Sequence, residues 1–417
     1  MRRFVRHIGI GLLAALAATG ARAQTALTWE QVKARFRAAN PTLLAGQNMV
    51  DESRAAEITA YLRPNPNVTF TVDQVDPFSG NPYRPFGFAL PYIAFDYLHE
   101  RQHKRELRLE SAQQATAIAE SQQSDLERNL LFSLQSAFVL ALEAKALLQN
   151  AQDNLEYFNR ELAINRDRLR SGDIARLDFN RLVLQRTQYE SDFETAQVNQ
   201  RTAKITLLTL LNDRTPVDRF VITGPFEFSD RIQPLEHFHE LALETRPDLK
   251  AAAEAVEKAQ TDHKLAVANG STDPTFGVDM ARNPPIPLYL GVSVNIPLRI
   301  FDRNQGEKAR TEIDIQHAQR TLDAARTQVF SDVDSAYFTM VSALNLLKPY
   351  RDEYLKTAVD VRDTMAFSYQ RGQAALVDYL DAQRDYRAVR VAYLNLVGAY
   401  LTAEAQLSLA VGREIQP

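Results

Sequence analysis

Two periodicities alternate along this chain. Leu126, Leu130, Leu134, Phe138 and Leu142, followed by Leu148, Ala151 and Leu155, recur mostly at spacings of three and four, with Gln, Glu, Arg and Asn filling the rest. That pattern predicts an amphipathic helix that buries one stripe against neighbouring helices. Between residues 91 and 172 there is neither Gly nor Pro. A helix over about 75 of those residues is roughly 110 Å long, against a mean of about 11–12 residues for helices of globular proteins. Residues 307–371 repeat the pattern and are interrupted only by Pro349, which predicts a kink. A rod of this length cannot wrap around a compact core; it must lie beside similar rods.

Between the helical stretches the period drops to two. Val68, Phe70 and Val72 alternate with Thr69, Thr71 and Asp73, and Phe86, Phe88, Leu90 and Tyr92 with Gly87, Ala89 and Pro91. Phe276, Val278 and Met280 alternate with Gly277, Asp279 and Ala281, and Leu288, Leu290, Val292, Val294 and Ile296 with Tyr289, Gly291, Ser293 and Asn295. Four strands in two hairpins follow, with loops at 76–84 and 282–287. Alternation alone fits a half-buried soluble sheet as well as a wall with lipid outside and water inside. Four strands cannot close a barrel, since single-chain bacterial barrels start at about eight. An open edge in lipid leaves backbone groups unsatisfied, at several kcal/mol each. Strands that span a membrane here therefore require several copies of the chain in one barrel.

The chain also repeats itself. Asn40-Pro41-Thr42-Leu43 is echoed by Arg246-Pro247-Asp248-Leu249, and Pro91 to Asp96 by Pro297 to Asp302. Ser171-Gly172 with Asp178-Phe179 is echoed by Arg371-Gly372 with Asp378-Tyr379, and Leu210-Leu211-Asn212 by Ala410-Val411-Gly412. The preserved order and near-constant offset predict two copies of one unit. The first, residues 24–212, holds a helix, a hairpin at about 68–92 and long helices at about 97–170 and 174–211. The second, residues 235–417, holds a helix, a hairpin at about 275–296 and long helices at about 303–370 and 374–411. Residues 213–234 join them. The fold class is mainly α with a small β part.

Residues 1–23 carry Arg2, Arg3 and Arg6, an apolar run from Ile8 to Ala18, and Ala21-Arg22-Ala23. These read as a secretory signal peptide, so the protein is expected outside the cytoplasm. Formal net charge is −4, and removing this segment with its four Arg residues makes it −8, which disfavours a nucleic-acid partner. The absence of Cys excludes disulfides, thiolate metal sites and an acylated Cys anchor. No cofactor is expected.

His99-Glu100-Arg101-Gln102-His103 matches the pattern of zinc proteases. A helix that runs straight on supplies no third ligand, so a secreted metalloprotease is the weaker enzyme-class rival, and no metal site and no enzyme activity are expected. A periplasmic coiled-coil structural protein is the rival from the helices alone.

Taken together, the sequence resembles the TolC-like outer-membrane efflux family over essentially the whole mature chain. The resemblance rests on Leu27-Thr28-Trp29-Glu30 leading to Asn40-Pro41, on Leu235-Glu236 leading to Arg246-Pro247, and on Tyr369-Gln370-Arg371-Gly372 followed by Leu376 to Gln383. Asn295-Ile296-Pro297 through Arg303-Asn304-Gln305-Gly306 is similar to the branch serving pumps of the cobalt–zinc–cadmium type. The resemblance implies a homotrimer with a shared 12-stranded barrel and a long periplasmic α-barrel. It implies a periplasmic adaptor (membrane fusion) protein and an inner-membrane resistance–nodulation–division pump as partners, and outer-membrane lipid around the strands. Divalent heavy-metal cations are the expected cargo, with drugs or other small organics as the alternative. It places the turns at Gly172 and Gly372 at the adaptor-docking tip. It makes Asp378 and Asp381 an acidic ring at the entrance, and Asp178 and Tyr369 a link that holds the entrance shut. Ala374 stands where the family's prototype has a basic residue. Leu288, Leu290, Val292, Val294, Ile296, Phe86 and Phe88 are expected to face lipid.

Overall fold

The computed structural model describes residues 26–78 and 82–415; the leader read at residues 1–23 lies outside them. Two short helices, α1 (Trp29–Ala39) and α2 (Pro41–Tyr61), lead into strands β1 (Asn67–Asp73) and β2 (Leu90–Leu98). Two long helices follow, α3 (Lys104–Ser171) and α4 (Arg176–Leu210). The second half runs α5 (Leu235–Thr245), α6 (Pro247–Asn269), β3 (Thr275–Asn283), β4 (Ile286–Asn295), α7 (Gln305–Pro349), α8 (Leu355–Gln370) and α9 (Leu376–Val411).

The 68 residues of α3 make a rod of about 100 Å. Between α7 and α8, directly after Pro349, Tyr350–Tyr354 form a π-helical turn. The proline withdraws one backbone donor, and the widened turn directly after it marks the junction while the rod continues. Upper and lower halves of the bundle share α3 and α7. In one half α3 packs on α2 and α6, and α6 on α7; in the other α3 packs on α4 and α9, and α9 on α7 and α8.

Between the halves lies the apolar core. Leu134, Phe138 and Leu142, from the most apolar stretch of α3, pack with Val32 and Phe36 of α1, Leu207 of α4 and Ile222 of the connecting segment. That stretch is apolar enough to cross a membrane, but here it is the contact surface for α1 and α4. A second cluster joins Phe238 of α5 to Val333 and Met340 of α7 and Val397 and Tyr400 of α9. The motif echo has a physical basis at this level. Asn40 Nδ2 donates to the Leu210 carbonyl at 2.9 Å, and Arg246 Nη1 donates to the Ala410 carbonyl at 3.3 Å. Each ties the start of one helix to the end of the helix returning beside it. Asn212 and Gly412, just past those helix ends, both adopt positive φ.

Towards the strands the helix seams become polar. Thr116 donates to Glu57 at 2.5 Å, Ser121 to Glu254 at 2.7 Å, and Thr261 to Glu110 at 3.1 Å. Hydroxyl-to-carboxylate bonds between helices replace the apolar stripe there, so polar side chains are buried with partners.

The four strands form one antiparallel sheet in the order β1-β2-β3-β4. One face carries Val68, Phe95, Val278 and Val292 in one row and Phe70, Ile93, Met280 and Leu290 in the next. The other face carries Asn67, Asp96, Gly277 and Ser293, then Thr69, Ala94, Asp279 and Gly291, then Thr71, Tyr92, Ala281 and Tyr289.

The second strand differs from the sequence expectation. Phe86 and Phe88 lie in the β1–β2 connection, not in a strand, and Leu90 and Tyr92 point to the polar face. Alternation at 86–89 occurs in a stretch broken by Pro85 and Gly87, where the backbone turns instead of extending. The strand begins later and runs on to Leu98, so Ile93 and Phe95 supply its apolar face. The echo of residues 91–96 at 297–302 likewise pairs a strand with an irregular segment. Ile296 lies one residue past the end of β4.

Candidate functional site

The two tip turns are built alike. Gly172 ends α3 at φ +83° and Gly372 follows α8 at φ +73°. Asp173 N donates to the Arg168 carbonyl, and Gln373 N to the Ser368 carbonyl, both at 2.8 Å. These bonds close each helix end over a left-handed residue, a conformation that glycine adopts without a Cβ penalty. Each following helix starts four residues beyond its glycine, at Arg176 and Leu376.

Four helices converge behind these turns around an aromatic cluster. Phe158 and Leu162 of α3, Leu182 and Tyr189 of α4, Tyr369 of α8 and Tyr379 of α9 are buried together. The Phe158 and Tyr189 rings stack at 4.4 Å, and those of Tyr369 and Tyr379 at 5.1 Å. Tyr369 Oη donates to Asn165 Oδ1 at 3.3 Å, and the Arg168 guanidinium lies over its ring. The expected Asp178–Tyr369 bond is absent within this chain; the Asp178 carboxylate sits 3.9 Å from Arg181, one turn along α4. Burial of the Tyr369 ring directs its hydroxyl towards α3.

Asp378 and Asp381 are both exposed on α9. Asp378 accepts from the Ala375 backbone N–H at 3.4 Å, which caps the helix. Asp381 pairs with Arg384 at 3.2 Å, and Arg384 also lies 3.5 Å from Asp385. Asp385 is seven residues beyond Asp378 and so extends the acidic face by another turn; the i, i+7 spacing was the signal in the sequence that could have found it.

On the sheet, the polar face makes room for its acids. A Cβ on Gly277 would lie 2.5 Å from Asp96 Oδ1, and one on Gly291 2.5 Å from Asp279 Oδ1. On the opposite face Leu290 and Val292 are 76% and 87% exposed, and Leu288 and Val294 are exposed beside them.

The protease-like pattern dissolves in the fold. His99 and Glu100 follow β2 and His103 precedes α3 at φ +55°, so the two His do not share a helix face. His99 meets the Phe276 ring edge-on, and Glu100 accepts from the Arg108 guanidinium. Among the described residues no group of three or more His, Cys, Asp or Glu converges as a metal site would require.

Comparison with known proteins agrees with this geometry. Residues 286–413 match the outer membrane efflux protein family. The cobalt-zinc-cadmium resistance protein CzcC of Cupriavidus metallidurans is 22% identical over 403 residues, 93% of this chain and 90% of that protein. The outer membrane efflux protein BepC of Brucella suis biovar 1 is 23% identical over 383 residues, 88% of this chain and 81% of that protein. Among solved structures, the transmembrane channel CusC superposes with a TM-score of 0.76 at 18% identity, covering 92% of both chains. The outer membrane protein VceC of Vibrio cholerae superposes at 0.73 and 16% identity, covering 93% of this chain and 96% of that one. A TolC-like fold along the chain and a match to the outer membrane efflux protein pattern over residues 286–413 meet in one conclusion: the chain resembles the outer-membrane efflux proteins, which are passive ducts rather than enzymes.

Proposed function

We propose that this protein is the trimeric exit duct of a tripartite efflux system, with divalent heavy-metal cations as its cargo. The observation that carries the reading is the sheet, apolar on one face, polar on the other, and unpaired along β1 and β4 at its two edges. Lipid covers the apolar face, and neighbouring copies satisfy the edges. Two copies would give eight strands, whose interior side chains fill; three give twelve, which leaves a lumen.

The helices favour the same closure. Leu177, Leu184, Val198 and Ile205 form an exposed heptad stripe on α4, with Leu184 74% exposed. Phe338, Leu346, Tyr354 and Val361 form an exposed stripe along α7, the π turn after it and α8. α4 packs on α3, α3 on α9, and α9 on α7 and α8, so in this reading the stripe of one copy meets the other stripe of the next. Such a head-to-tail contact closes into a ring.

In this reading the chain is two copies of one unit, 24–212 and 235–417, joined by 213–234. The turns at Gly172 and Gly372 dock a periplasmic adaptor. Asp378 and Asp381, repeated by symmetry, ring the entrance and favour cations. An inner-membrane resistance–nodulation–division pump supplies the energy. The name of CzcC supports metal cargo; that of BepC specifies none, and small organic molecules are the rival cargo. A deletion strain profiled against zinc, cobalt, cadmium, nickel, copper and several antibiotics decides this. Hypersensitivity to the metals alone is expected; hypersensitivity to antibiotics alone would transfer the duct to organic cargo.

A further inference from the structure

Behind the tip turns, Glu161 is buried to 7% exposure in a place where a carboxylate is poorly served. Its Oε1 accepts only from Gln370 Nε2 of α8, at a long 3.4 Å, and its Oε2 has no hydrogen-bond partner. No ion pair reaches it: Arg160 and Arg168, on its own helix, act only at longer range. Tyr157 and Asn165 flank it on α3. From α8 it faces Tyr369, and Arg362 lies over the Tyr157 ring. From α9 it faces Tyr379, whose buried hydroxyl lies towards Tyr157, and Gln383, which donates to Tyr157 Oη at 3.3 Å. From α4 come Leu182 and Tyr189, with Asp178 acting on Tyr369. Three of the four helices at the entrance therefore close over one carboxyl with no cation at ion-pair distance.

We propose that Glu161 is a proton-operated latch on the periplasmic entrance, holding the tip helices together while protonated and releasing them when it ionises. The inference rests on the reading of the protein as a duct whose tip must open.

A carboxylate without its water or a cation is costly in such surroundings, while a neutral acid is tolerated and can donate one hydrogen bond. Burial pushes the Glu161 carboxyl above its ordinary range. Separation of the helices returns it to water and to that ordinary range. The closed tip thus binds the proton more tightly than the open one. Acidification stabilises closure. Rising pH releases the proton and favours opening, and below the ordinary carboxylate range both states are protonated and the effect vanishes.

The test is the open probability of the purified assembly in planar bilayers between about pH 5 and about pH 8, on either side of a raised carboxyl. Wild type is expected to open more as pH rises, by up to about tenfold per pH unit for each proton released. Glu161→Gln, which keeps the size and cannot ionise, is expected to lose that slope, while Asp378→Asn with Asp381→Asn keeps it. A wild-type slope in Glu161→Gln, or loss of the slope in the Asp378/Asp381 variant, would overturn the latch. Should Glu161→Gln fail to assemble, infrared spectra of wild type at neutral pH decide. A protonated carboxylic-acid band that shifts in Tyr379→Phe supports the latch, and its absence refutes it. A wild type that forms no channel at all would refute the duct reading, and the latch with it.

Discussion

At Gly172 and Gly372 an added Cβ would touch nothing within 4 Å; positive φ, not space, is what selects glycine there. The acids nearby differ in their situation. Asp378 is bound to its own helix start, whereas Asp381 shares Arg384 with Asp385. An exposed pair of this kind contributes at most about 1 kcal/mol, so the Asp381 carboxylate is only weakly held by Arg384. Replacing both Asp378 and Asp381 with Ala should lower the cation preference of the channel, read as the reversal potential across a salt gradient; an unchanged potential rejects the acidic ring. Much at this scale was legible in advance. The glycines mark the helix reversals, and the spacing of the two acids sets a common face. The hydroxyl partner of Tyr369 was not legible, because Asn165 is 204 residues away and only the rotation of α8 against α3 brings them together. Glu161 gave no signal either. On an amphipathic helix it reads like any other polar position, and only the aromatic cluster shows that it is enclosed.

Periodicity fixed the elements more firmly than their ends. The rods follow from composition, and the interruption expected at Pro349 is a single π turn directly after it. The misplaced second strand shows the limit. Four residues of alternation at 86–89 imitated a strand, while the real one from Leu90 to Leu98 was hidden by Pro91 and by Asp96. The alternation of β3 and β4 came out as read because apolar residues alternate with small or polar ones along most of each strand. Replacing Leu290 and Val292 with Lys places two charges on the apolar face, at about 2–4 kcal/mol each near a bilayer midplane. Loss of the protein from the outer-membrane fraction is expected, and normal assembly would reject that face assignment. On the helices, Leu184→Glu with Val198→Glu should break the α4 stripe and leave separate chains on a sizing column in detergent. An unaltered assembly would remove that stripe from the interface.

For the whole molecule, a sheet with two open edges, two flanking apolar stripes and a 68-residue rod all state the same incompleteness. None of them is resolved by rearranging one chain, because the sheet's apolar face and the stripes lie on surfaces that the chain's own elements leave uncovered. The connecting segment around Phe220 and Ile222 was legible only as a linker. Its part in the core appears through the pairing of Leu27 with Ile222, which couples the start of the first unit to the segment before the second. The most direct test is the mass of the detergent-solubilised particle by native mass spectrometry. Three chains per particle, requiring detergent to remain in solution, are expected. A single chain that stays folded and dispersed in plain buffer would contradict the shared barrel, and with it the duct.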